Sequence, residues 1–79
     1  MIPEHMMEAI KRYVDHGIEP GSFLASVICN DLAGAFMNAD HINKEIIGEY
    51  VQHFYNDEPS ACWGSPARME EWISHKNST

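Results

Sequence analysis

Apolar positions in this chain recur at three- and four-residue spacing through most of its length, a period that belongs to helices. Met6, Met7, Ile10, Tyr13 and Val14 trace the first stripe, behind Pro3, Glu4 and Glu8, which suit a helix start. Gly17 supplies a left-handed stop after Lys11 and Arg12, so the pattern predicts a helix over residues 3–16. Phe23, Leu24, Val27, Ile28, Leu32, Ala35, Phe36 and Ala39 then line one face behind Ser22, a capping residue. They predict a second helix over residues 22–38, with Ala33, Gly34 and Ala35 open to a close neighbour. Asp40 caps a third helix, whose stripe of Ile42, Ile46, Ile47, Tyr50, Val51 and Phe54 runs until Asn56 and Pro59. Ser65 as cap and Pro66 at the first helical position open a short fourth helix with Met69, Trp72 and Ile73. No segment alternates with period two for long enough to be a strand.

The expected fold is therefore all-α, a compact bundle of about four helices. The break at residues 38–40 is short, so the second and third helices are expected to return as a central antiparallel hairpin, flanked by the first and fourth. Leu24, Ile28, Leu32, Phe36, Ile46, Tyr50, Val51 and Phe54 would form its centre, and truncating Leu32 or Phe54 to Ala would cost about 2–5 kcal/mol. Seventy-nine residues make one domain over residues 1–79, burying roughly 60% of the unfolded surface. Met1 and residues 75–79 are the expected frayed ends.

Charge narrows the partners. Twelve acidic against five basic residues give a formal charge of −7. With no Lys/Arg cluster to release counterions, direct nucleic-acid binding and attraction to an anionic membrane are not expected. The charge serves solubility, or it steers a basic protein partner, with Glu45, Glu49, Asp57, Glu58, Glu70 and Glu71 as the footprint. Cys29 and Cys62 are the only cysteines, with no CxxC, no secretory segment and no long apolar run. A cytosolic protein with free thiols is the expectation, Cys29 buried in a helix and Cys62 more exposed in a loop.

Catalytic signatures are missing. His41, Glu45, Glu49, His53 and Asp57 follow one another at four-residue steps. Neighbours on that ridge could offer two ligands to a divalent metal, but each step drifts by about 40°, so the five cannot converge on one ion. A solvated helix face is the simpler reading. His5 between Glu4 and Glu8 lacks the HExxH order, and no GxxxxGK(S/T), GxGxxG or GxSxG occurs. Neither an enzyme, a metal site nor a cofactor is expected.

Two loops carry the remaining signal: HGIEPGS at residues 16–22 and DEPSACWGSP at residues 57–66. Gly21–Ser22 and Gly64–Ser65 each open a predicted helix, where free backbone N–H groups and a hydroxyl suit a phosphate. Trp63, Tyr13 and Tyr55 would stack on a base, and Arg12 or Arg68 would add a charged contact. The alternative is that Ser22 and Ser65 are ordinary caps and Trp63 plugs a small core.

The segments RYVDHGIEPGSFLASVICNDL, NADHIN and FYNDEPSACWGSP, with the closing EEWI, resemble a family of small uncharacterised proteins encoded by bacteriophages and prophages. The likeness runs over residues 7–73. It implies an accessory phage protein that acts against host defence. The expected function is capture of a small nucleotide-type immune signal of the host by the two loops. The alternative is an acidic inhibitor, anti-CRISPR-like or a nucleic-acid mimic, covering a basic site on a host defence protein. A homo-oligomer, most simply a two-fold dimer, is expected through Met6, Met7, Met69, Trp72 and Ile73 on the first and last helices.

Overall fold

Local capping decides where each helix of the computed structural model begins and ends; it describes residues 1–78. Helix α1 (Glu4–His16) starts at Pro3, whose carbonyl accepts the Met6 and Met7 amides at 3.0 Å. It ends at Gly17, left-handed at φ 67°, where a Cβ would also press on Lys76 of the last helix. Helix α2 (Ser22–Ile28) buries Phe23, Leu24, Val27 and Ile28. Its cap position is Gly21 and no side chain caps it, so the expected Ser22 cap is not made.

The expected second helix is two. Asn30 takes a left-handed φ of 60°, and the Asp31 amide reaches back to the Ser26 carbonyl at 2.8 Å, which closes α2. The Asp31 carboxylate then caps α3 (Leu32–Asn38) through the Gly34 amide at 3.0 Å. The turn resets the phase of the apolar stripe. Ala35 goes into the core, while Leu32 and Phe36 face outward. Helices α2 and α3 pack closely on each other across this turn, inside the segment expected to be one helix.

The third predicted helix is also divided. Asp40 caps α4 (His41–Glu45) through the Asn43 amide at 2.7 Å, and Ile46 breaks the run before α5 (Ile47–Asp57). Ile47, Tyr50 and Phe54 enter the core from α5, whereas Val51, expected at the centre, is exposed. After a 3-10 turn (Ser60–Cys62), Ser65 accepts the Arg68 amide and α6 (Pro66–Asn77) begins with proline in its first turn. The tail expected to fray is helical through Asn77; Thr79 lies outside the described residues.

All-α is thus the fold class, with six helices and no strand among the described residues. The core comprises Ile10, Tyr13, Phe23, Leu24, Val27, Ile28, Ala35, Ile47, Tyr50, Phe54 and Cys62. Phe23 meets Tyr50 edge-on at 5.0 Å, and the Tyr50 hydroxyl donates to buried Asn43 at 2.6 Å. Helix α6 lies on α1, where Trp72 Nε1 donates to the Val14 carbonyl at 3.1 Å. Met6, Met7, Met69, Trp72 and Ile73 are partly buried against the core, so α1 and α6 leave less apolar surface open than expected. No described helix is long and apolar enough to cross a membrane.

Burial separates two truncations that the sequence treats alike. Phe54→Ala should cost about 3–5 kcal/mol, because the ring is fully enclosed. Leu32→Ala should stay within about 0.5 kcal/mol, as an exposed position does. Urea titrations of the two variants would check both.

Candidate functional site: an acidic cleft between α1 and α5

The tryptophan-bearing connector belongs to the core. Tyr13 is fully buried and its hydroxyl donates to the Cys62 carbonyl at 2.6 Å, across 49 residues of chain. The Gly64 amide donates to the Ile28 carbonyl at 2.6 Å, so the connector is also tied to the end of α2. Trp63 is half-buried and tilts against Phe54 at 5.9 Å. Cys62, expected to be the more exposed thiol, is fully enclosed, and Cys29 is the half-buried one.

These contacts use up most of the loop groups expected to bind a ligand. The Ser65 hydroxyl holds the α6 amide, and Arg68 Nη1 donates to the carbonyls of Ser60 at 3.2 Å and Trp63 at 3.3 Å. Tyr13 cannot stack on a base from inside the core. Arg12 is exposed on α1 and Tyr55 on α5. Gly21 and Ser22 line a cleft of about 300 Å³ with Met6, Ala9, Phe23, Leu24, Asn38, Asp40 and Asn43, and with no residue of the connector.

The acidic ridge fares differently. The break at Ile46 divides it. His41 and Glu45 pair with each other at 3.7 Å on α4, both well exposed. Glu49, His53 and Asp57 stay together on α5 and face the start of α1 across a cleft of about 600 Å³, lined also by Met1, Ile2, Glu4, Met7, Gln52 and Asn56. Three carboxylates, two amides and His53 thus line it together with Met1, Ile2 and Met7. Glu49 Oε1 lies 2.6 Å from the amino group of Met1. His53 is 15% exposed and sits between two carboxylates, Nε2 at 2.6 Å from Glu58 and Nδ1 at 3.5 Å from Asp57. Glu58 is thereby drawn under the helix end and is not a free part of the footprint. Glu70 and Glu71 are exposed on α6, and Glu71 lines a separate cleft with Ala61, Trp72 and His75.

Sequence reasoning found Glu49, His53 and Asp57 from their spacing but missed Glu4, which another helix brings to the same cleft. Among the described residues no group of three His, Cys, Asp or Glu side chains is placed to hold a metal ion. The cleft thus sets carboxylates beside apolar Ile2 and Met7, with one of them, Glu49, already holding a cationic group, the Met1 amine, which is the chemistry that suits a long cationic side chain with a hydrophobic stem. No family model matches the chain, and neither a curated protein nor a solved structure matches it.

Two measurements test the connector. Tyr13→Phe keeps the ring but leaves the buried Cys62 carbonyl without its donor, and should cost about 1–3 kcal/mol by chemical denaturation. Alkali should act on the same region. Burial first, then the charge of Glu58, pushes the Cys62 thiol from 9.0 up to about 11. Burial first, then Asp40 and Glu49, pushes the Tyr50 phenol from 10.0 up to about 12, and burial raises Tyr13 as well. All three hold protons more tightly when folded than when unfolded. The contributions of Cys62 and Tyr50 are whole below about pH 9 and are lost as pH rises through about 11 to 12, and that of Tyr13 is lost later still. Melting temperature should fall across that window, in step with thiolate absorbance.

Proposed function

We propose that this chain is a non-catalytic phage accessory protein that captures a basic segment of a host defence protein in the cleft between α1 and α5. The observation that carries this reading is the composition of the cleft: Glu4, Glu49 and Asp57 beside Ile2 and Met7, where a basic group would compete with the Met1 amine on Glu49 and with His53 on Asp57. A Lys or Arg stem packs on the floor while its head meets the carboxylates. Each such exposed pair contributes little alone, about 0.2–1 kcal/mol, so several must act together. The formal charge of −7 adds steering, which raises the association rate and makes it salt-dependent. The proposed place of action is the host cytosol, in keeping with the resemblance to phage proteins. A nucleotide-type signal held by the two helix-start loops is less well supported, because Tyr13, Ser65 and Arg68 are engaged within the protein.

Fluorescence anisotropy with a Lys/Arg-rich peptide tests the proposal against an acidic peptide of equal length. Binding should weaken steeply with salt, and the Glu49→Gln/Asp57→Asn double variant should bind about tenfold more weakly, mainly through slower association. Affinity indifferent to salt and to those substitutions would contradict it. So would thermal stabilisation by cyclic oligonucleotides without any response to the basic peptide.

A further inference from the structure

Among the described residues Asn43 is the only buried amide, 5% exposed near the start of α4. Its Oδ1 accepts the buried Tyr50 hydroxyl at 2.6 Å, and its backbone amide donates to Asp40 Oδ1 at 2.7 Å. The phenol has no other acceptor, so its proton goes to Oδ1, and the amide nitrogen takes the opposite arm. That nitrogen makes no hydrogen bond to any described residue. Among those residues no fully covered side-chain nitrogen or oxygen lacks a partner, so Nδ2 reaches open space. The space beside it is the cleft of about 300 Å³ between α1, the start of α2 and the α3–α4 turn. Two segments that stand out in the sequence meet there, GSFL at residues 21–24 and NADHIN at residues 38–43. Phe23, Leu24 and Met6 contribute its apolar surface.

We propose that this cleft binds a small neutral amide, a molecule that sets a carbonyl beside an N–H on an apolar body. The carbonyl accepts from Asn43 Nδ2. The N–H donates to Asp40, whose Oδ1 caps α4 and whose second oxygen is left over, or to Asn38, whose Nδ2 is engaged by the Gly34 carbonyl at 2.9 Å. Charge selects this class. Asp40 is the only charged residue lining the cleft, so a carboxylate or phosphate is repelled. A bare cation would suit Asp40 but would leave the Asn43 amide without an acceptor. A neutral amide satisfies both. Asn43 needs no rearrangement to receive it, because Tyr50 holds the side chain from within the core. The cleft shares no residue with the one between α1 and α5, so this site stands apart from the basic-segment reading.

Heteronuclear NMR of the full chain, titrated with benzamide up to about 10 mM, tests the proposal. Benzamide should saturate with a dissociation constant of about 1 mM, shifting the Asn43 side-chain amide and the backbone amides of Ser22 and Phe23. Acetophenone, which keeps the ring and carbonyl but has no N–H, should bind about tenfold more weakly, and benzoate should not bind. Asp40→Asn keeps a side chain that caps α4 and removes the charge, so the folded variant should admit benzoate. Benzamide that leaves the Asn43 side-chain amide unshifted would overturn the proposal. Acetophenone or benzoate binding wild type as tightly as benzamide would do the same, and so would an Asp40→Asn protein that still excludes benzoate.

Discussion

The hydrogen bond from Tyr13 to the Cys62 carbonyl organises this molecule. A 79-residue chain has little core to spare, and it builds part of that core from a connector rich in Gly, Pro and Ser. An irregular segment brings backbone carbonyls inside, where each needs a donor. The hydroxyl of Tyr13 satisfies one, and the Gly64 amide satisfies the Ile28 carbonyl at the end of α2. Trp63 can then lean on Phe54, and α6 starts where Ser65 and Arg68 require it. Helices α1, α2, α5 and α6 are thus joined through a segment that has no long helix of its own.

This arrangement governs which surfaces remain for recognition. With the connector engaged inward, α5 becomes the element with two accessible sides of opposite character. One side carries Glu49, His53 and Asp57 toward α1; the other carries Gly48, Val51 and Tyr55 outward. The inward edge between them, Ile47, Tyr50 and Phe54, fixes the helix in the core.

Much of this was legible in the sequence where the cause is local. Gly17, Asp40 and Ser65 end or begin helices as their residue types predict, because a cap needs only its own turn. The breaks at Asn30 and Ile46 are masked in the sequence, because the apolar stripe continues through both. Asn followed by Asp, with Gly three residues after the Asp, was the available signal: a left-handed residue, a cap, and an amide free of Cβ crowding. Missing it placed Leu32 and Phe36 in the core by extrapolating one helical phase across a turn that resets it. Tyr13 illustrates the reverse error. It lies on the buried stripe of α1, yet its pattern also suits a ligand role, because its long-range partner, a backbone carbonyl, leaves no mark in a sequence. The Glu49, His53 and Asp57 ridge was visible from spacing alone, whereas Glu4 joins it only through the packing of α1 beside α5.

Native-state hydrogen exchange at the Gly64 amide tests the central claim, that the connector is part of the core. If it is, this amide exchanges only when the whole domain unfolds, with the same opening free energy as the amide of Phe54 on α5. Exchange at Gly64 that is orders of magnitude faster than at Phe54, while α5 stays protected, would show a connector that opens by itself and would contradict the account.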